Sequence, residues 1–143
     1  MDDIDRAVLS ALQDDARVSY AELGRQVGLS APAVAERMRR LETSGIVTGY
    51  HASIDLKKAG FGIVAFVRLN SAPDLAPQLE RLATETDEVL EFNRVTGTEG
   101  YVMKVAVSSI EHLELIVVKF LPYGQTTTSI VLSSPVTWRK IAV

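Results

Sequence analysis

The chain has 143 residues, enough for one ordinary domain or two small ones. With 47% hydrophobic and 23% charged residues it has the composition of a folded globular protein and not of a disordered one. The absence of cysteine removes disulfides, thiol nucleophiles and thiolate metal sites, and a net charge of -3 argues against indiscriminate binding to polyanions.

The first residues, "MDDIDR", are acidic where a secretory signal needs positive charge, and no segment approaches the roughly 20 apolar residues of a membrane span. A cytoplasmic protein without membrane contact is expected. The charge is unevenly spread. Residues 1–15 hold one basic side chain, Arg6, against five aspartates, whereas residues 16–60 hold seven basic against four acidic.

In chain order, "DIDRAVLSALQDD" places Ile4, Val8, Ala11 and Leu12 at helical spacing. Ser19 caps a second helix, "YAELGRQVG", with Glu22 completing a capping box, and Gly28 stands where that helix ends. Ser30 caps a third helix, with Pro32 in its first turn and Gly45 near its end. At about 100° per residue Val34, Met38 and Leu41 form a narrow buried stripe. Arg39, Glu36, Arg40 and Ala33 face away from that stripe, and Arg37 lies on its flank.

"IVTGYHASID" has strand composition interrupted by glycine and predicts a short hairpin, the wing of a winged domain. The polar segment "DLKKAGFG" is the expected linker. Beyond it come a strand in "GIVAFVRLN", an amphipathic helix in "DLAPQLERLATETD", and two strands, "VLEFNRV" and "YVMKVAVSS", around the turn "TGTEG". A helix in "SIEHLELIVVKFLPYG", apolar nearly all round, and a last strand in "TTSIVLSS" complete the chain. The order βαββαβ is that of a ferredoxin-like unit. Its first strand is apolar on both faces although its helices cover only one, which points to a second copy packing on the other. The expected class is α+β, divided into a helix-turn-helix domain (1–50), a linker (51–61) and a ferredoxin-like domain (62–143).

Helix, tight turn and basic helix form a helix-turn-helix pattern, whose second helix enters the major groove of double-stranded DNA. "LGRQVGLSAPAVAERMRRLETSGIV" resembles the recognition region of the Lrp/AsnC (feast/famine) transcription regulators. Leu23, Gly28, Leu29, Ser30, Val34, Arg37, Leu41, Glu42 and Gly45 fall on the positions of that family's pattern. The similarity extends through "VTGTEGYVMKV" and "TTTSIVLS" to essentially the whole chain. It implies a nucleoid-associated regulator, homodimers often assembled into tetramers or octamers around which DNA can bend or wrap, and a small-molecule site, usually for an amino acid, between second domains. On this reading Ser30, Ala33, Glu36, Arg37 and Arg40 meet DNA, with Arg37 and Arg40 as the main contacts and Arg39 merely solvated.

The effector positions implied by the resemblance are Gly97, Thr98, Glu99, Gly100, Tyr101, Thr126 and Thr128. The family pattern T-G-x-x-D-Y departs here: Gly100 holds the aspartate position and Glu99 supplies a carboxylate one residue early. The amino group of an effector would need that charge. No cofactor, metal or catalytic constellation is expected, and His51 and His112 read as surface histidines. The architecture also resembles that of sirohaem decarboxylases, but no basic cluster in the second half would hold a tetrapyrrole's carboxylates. A scaffold that does not read DNA is the third possibility. Trp138 would anchor the tail "PVTWRKIAV" on a neighbour or on its own sheet.

Overall fold

The computed structural model describes residues 1–143 and divides into two compact units. The first is Met1–Ser53 together with Val136–Val143, and the second is Ile54–Pro135.

The first unit contains helices α1 (Asp3–Asp14), α2 (Tyr20–Val27) and α3 (Ala31–Thr43). Each begins at a side chain that accepts the amide of its third residue: Asp2 from Asp5, Ser19 from Glu22 and Ser30 from Ala33. The reciprocal capping box forms at Asp2 and Asp5, not at Ser19. The Glu22 carboxylate turns instead to Arg25 and Gln26, leaving half a box on α2. Gly28 ends α2 in the left-handed region at φ 71°, and the N–H of Leu29 closes the turn on the Gly24 carbonyl at 2.8 Å. Val8, Leu9, Leu23, Val34, Met38 and Leu41 form one buried core, so the stripe of α3 is the face that meets α1 and α2.

The expected wing is absent: residues 44–54 contain no strand. A strand exists only through a ladder partner, and the amides of Ile46 and Val47 are spent instead on the Leu41 carbonyl, closing the end of α3. Residues 55–61 are likewise not an extended linker. They form a closed turn in which the Asp55 carboxylate accepts the Lys58 amide and the Phe61 amide reaches the Leu56 carbonyl.

The sequence division assigns residues 136–143 to the second domain; they pack instead on the first unit. Gln13 on α1 both donates to the Ile141 carbonyl (3.1 Å) and accepts its amide (2.8 Å). Lys140 reaches Asp14 at 2.7 Å, and Val143 lies against the helical core. Trp138 remains mostly exposed within the chain.

The second unit runs β1 (Ile63–Ser71), α4 (Ala76–Thr84), β2 (Val89–Arg94), β3 (Tyr101–Val107), α5 (Ile110–Phe120) and β4 (Gly124–Ile130). The strands form one antiparallel sheet in the order β2-β3-β1-β4, the ferredoxin-like arrangement. Ala65, Val67 and Leu69 of β1 pair with Val105, Met103 and Tyr101 of β3, and these residues face the helices in one buried core. Leu113, Ile116 and Phe120 close it from α5. Ile116 therefore shares the buried side with Leu113, leaving Leu115 and Val118 as the exposed apolar side of that helix.

The other sheet face carries Val64, Phe66 and Arg68 beside Ala106, Lys104 and Val102, with Ser129 and Thr127 on β4. Phe66 is 39% exposed at its centre. His112 is no free surface histidine. Its Nε2 lies 2.9 Å from Glu88, and its Nδ1 meets the Ser108 amide and hydroxyl, linking the two loops that precede β2 and α5.

Candidate nucleic-acid interface

The α2–α3 turn fixes which side of α3 is free. With Val34, Met38 and Leu41 buried, the outward face runs through Pro32, Glu36, Arg39, Arg40 and Thr43. Ser30 is exposed, but its hydroxyl is held as the cap by the Ala33 amide at 3.4 Å, and Ala33 itself is partly covered. The amide dipoles of this helix concentrate positive charge at the Ser30 end.

The three arginines of α3 have separate surroundings. Arg37 Nη1 donates to both carboxylate oxygens of Asp2 (2.9 and 2.8 Å) and to Asp5 Oδ1 (2.6 Å). Its side chain keeps only 18% of its surface and that of Asp5 11%. Arg37, expected to be a main DNA contact, lies on a flank that faces the start of α1, where two aspartates hold its guanidinium. The Asp5 amide, followed by the Arg37 guanidinium, lowers the Asp2 carboxyl to about 2. Asp5 is lowered too, first by the Asp2 amide and then by Arg37. The cluster welds α3 to α1 and sets the angle of α3; it does not reach outward.

Arg39, expected to be merely solvated, is paired. It grips Glu36 with two hydrogen bonds, Nε to Oε2 at 3.0 Å and Nη2 to Oε1 at 2.5 Å, while its side chain stays 66% exposed. Arg39 pulls the Glu36 carboxyl below its usual range. Glu36 therefore pairs at i+3 with Arg39, not at i+4 with Arg40. Arg40 is 57% exposed and lies 4.0 Å from Asp5, beyond hydrogen-bonding distance. It is the one arginine of α3 that no carboxylate binds directly.

Sequence reasoning missed the part played by Asp2 and Asp5. The signal was present: an aspartate three residues after a capping aspartate, at the head of an amphipathic helix. On the opposite flank Tyr50 donates to Glu42 at 2.8 Å. Burial, and then this hydrogen bond, push the Tyr50 hydroxyl up to about 12, so it stays a donor at any ordinary pH.

The sequence-predicted effector positions lie in the second unit. Gly97, Thr98, Glu99 and Gly100 form the exposed or partly covered β2–β3 turn, closed by the Val95 amide on the Gly100 carbonyl. Tyr101 is buried and stacks on Phe92 with ring centroids 5.4 Å apart, so its ring belongs to the core. Thr126 pairs with Leu69 and Thr128 with Val67 on the edge strand, on the helix-facing side. The carboxylate of Glu99 lies 3.2 Å from Arg68 Nε on β1, and Arg68 also donates to Ser129 at 3.0 Å. The structure therefore brings Glu99 to Arg68 and separates it from the Tyr101 ring.

Comparison with known proteins agrees with this geometry. Residues 1–42 match the AsnC-type helix-turn-helix domain, and residues 64–141 match the Lrp/AsnC ligand binding domain. Bacillus subtilis YezC, an HTH-type transcriptional regulator, is 40% identical over 94% of this chain and 95% of its own length. The structure of Escherichia coli AsnC superposes with a TM-score of 0.90 at 29% identity, over 100% of this chain and 99% of that one. A regulator from Neisseria meningitidis, NMB0573, solved as a complex with L-Met, gives a TM-score of 0.88 at 26% identity, over 94% and 92% of the two chains. A helix-turn-helix and a ferredoxin-like unit in one chain, matched over most of its length by HTH-type transcriptional regulators, mark a DNA-binding transcriptional regulator and not an enzyme, and the chain belongs to the Lrp/AsnC family.

Proposed function

We propose that α3 enters the major groove with Arg40 as its principal phosphate or guanine contact, beside Ser30, Ala33 and Glu36 on the DNA-facing surface, and that the working protein is a homodimer. The observation that carries the DNA reading is Arg40, outside the core stripe, 57% exposed and hydrogen-bonded to no carboxylate. With Ala31, Ala33 and Ala35 along the helix, base edges meet few donors, so DNA shape contributes much of the selection. Salt titration of binding tests this. Arg40→Ala should make the slope of log affinity against log salt shallower by about one unit if the side chain neutralises one phosphate. Unchanged affinity and slope would remove Arg40 from the interface.

The dimer reading rests on the helix-free sheet face, where Val64, Phe66 and Val102 are left for a second copy to cover. Larger assemblies such as octamers, DNA wrapping and a nucleoid location in the cytoplasm extend the same reading. For the effector, Arg68 and Glu99 set a guanidinium beside a carboxylate, the charge complement of an amino acid's own carboxylate and ammonium. The partner of the L-Met-bound relative supports an amino acid as the ligand class. Calorimetric titration with the twenty amino acids, repeated on Glu99→Gln, should give binding that the substitution abolishes.

A further inference from the structure

Both helices of the DNA-binding motif carry the same device. Glu22 holds Arg25 on α2 and Glu36 holds Arg39 on α3, each pair three residues apart, with Glu22 half-buried and the other three side chains largely exposed. Exposed pairs of this kind add little to helix stability, so stability does not account for a carboxylate on the outward face of a helix that meets a polyanion. The Glu36–Arg39 pair lies in the middle of that face, between Pro32 and Thr43. Its two hydrogen bonds occupy the Nε and one Nη of the guanidinium, one of the two edges by which it could fork onto a phosphate or a guanine. The pair carries no net charge, so Arg40, 4.0 Å from Asp5, is the one guanidinium of α3 that no carboxylate holds by a hydrogen bond.

We propose that Glu36 restrains binding to DNA in general by holding Arg39 in this intrahelical pair, and so sets the ratio of specific to non-specific affinity. The inference rests on α3 being the helix that faces DNA. Its logic is that of discrimination by a repulsive or masking element: contacts that any duplex can make are weakened, while those that a preferred site makes through fit are kept. Non-specific binding is almost wholly electrostatic, so a masked guanidinium lowers it most.

The test compares the full-length protein with Glu36→Gln, Arg39→Ala, the double variant and Arg40→Ala. Each is titrated across salt on a random duplex and on a duplex that the wild-type protein enriches from a random library. Glu36→Gln keeps the shape of the side chain and removes the charge, and thermal melting verifies that the fold is retained. Freed Arg39 should add one phosphate contact. Affinity for random duplex is then expected to rise on the order of threefold to tenfold at low salt, with the slope steeper by about one unit. The gain on the enriched duplex should be smaller, and the whole gain should vanish when Arg39 is alanine. A fall in random-duplex affinity for Glu36→Gln, or a gain that persists in the double variant, would overturn the proposal. If Arg40→Ala weakens binding while Glu36→Gln changes nothing, this inference alone fails. If neither variant changes anything, the assignment of α3 as the DNA-facing helix fails with it.

Discussion

Gly24→Ala on α2 sets helix propensity directly against packing. Alanine is favoured over glycine inside a helix by about 1 kcal/mol, so local preference alone predicts a stabilised protein. Gly24, however, is buried beneath the turn into α3. A Cβ there would stand 2.4 Å from the Leu29 carbonyl oxygen, where real Cβ atoms essentially never come closer than 3.0 Å. The obstacle is backbone, so no side chain can swing aside; the turn must move by at least about 0.6 Å. Overpacking of this kind costs about 1–3 kcal/mol. Loosening the 2.8 Å Leu29–Gly24 hydrogen bond costs about 1 kcal/mol more. The net expectation is a loss of about 1–3 kcal/mol, a fall of roughly 5–20 °C in the melting of a unit of about sixty residues. Scanning calorimetry of the full chain reads this. Gly28→Ala, whose new Cβ meets open space and suffers only from φ 71°, should cost about 1 kcal/mol. If Gly24→Ala melts at or above the wild-type temperature, the close approach at the turn does not constrain α2 as argued.

Two further outcomes concern the surroundings of the interface. Asp2 titrates at about 2 in the folded chain against an ordinary 3.8, so its contribution is complete above about pH 4 and disappears as the pH falls through 2. Melting temperatures measured between pH 5 and 2 should therefore fall more steeply for the wild type than for Asp2→Asn; equal slopes would show that the pairing with Arg37 and the Asp5 amide does not stabilise the unit. Deleting residues 136–143 removes two hydrogen bonds to Gln13, worth about 0.5–1.5 kcal/mol each, while the exposed Lys140–Asp14 pair adds little. Gln13→Ala should reproduce most of that loss in calorimetric melting and Lys140→Ala almost none; the reverse ranking would make charge the anchor of the tail.

What the sequence disclosed followed the reach of each signal. Caps and periodicity are local, so Ser19, Ser30, the buried stripe of Val34, Met38 and Leu41, and the βαββαβ order were all legible. The fate of a polar side chain depends on a distant partner, and there the reading failed. Nothing near Arg37 announces that Asp2 and Asp5, more than thirty residues earlier, will take its guanidinium. Arg39 was misjudged for the opposite reason. Its carboxylate lay three residues away, but i+3 and i+4 partners compete on a helix, and spacing alone did not choose between Arg39 and Arg40 for Glu36. The wing failed because strand composition in "IVTGYHASID" specifies no ladder partner. At the effector turn the departure at Gly100 was visible, but the pairing of Glu99 with Arg68 needed the fold to bring the β2–β3 turn beside β1.

The tail clamped on α1 gives this molecule an order of assembly during synthesis. The residues forming the three helices emerge early and can fold within microseconds to milliseconds. About 80 residues of the second unit separate them from Val136–Val143. At ~10 residues per second the ribosome needs several seconds to deliver the strap that Gln13 awaits. For that interval a nascent chain carries α3 in an unfinished unit, until Val136–Val143 reach Gln13.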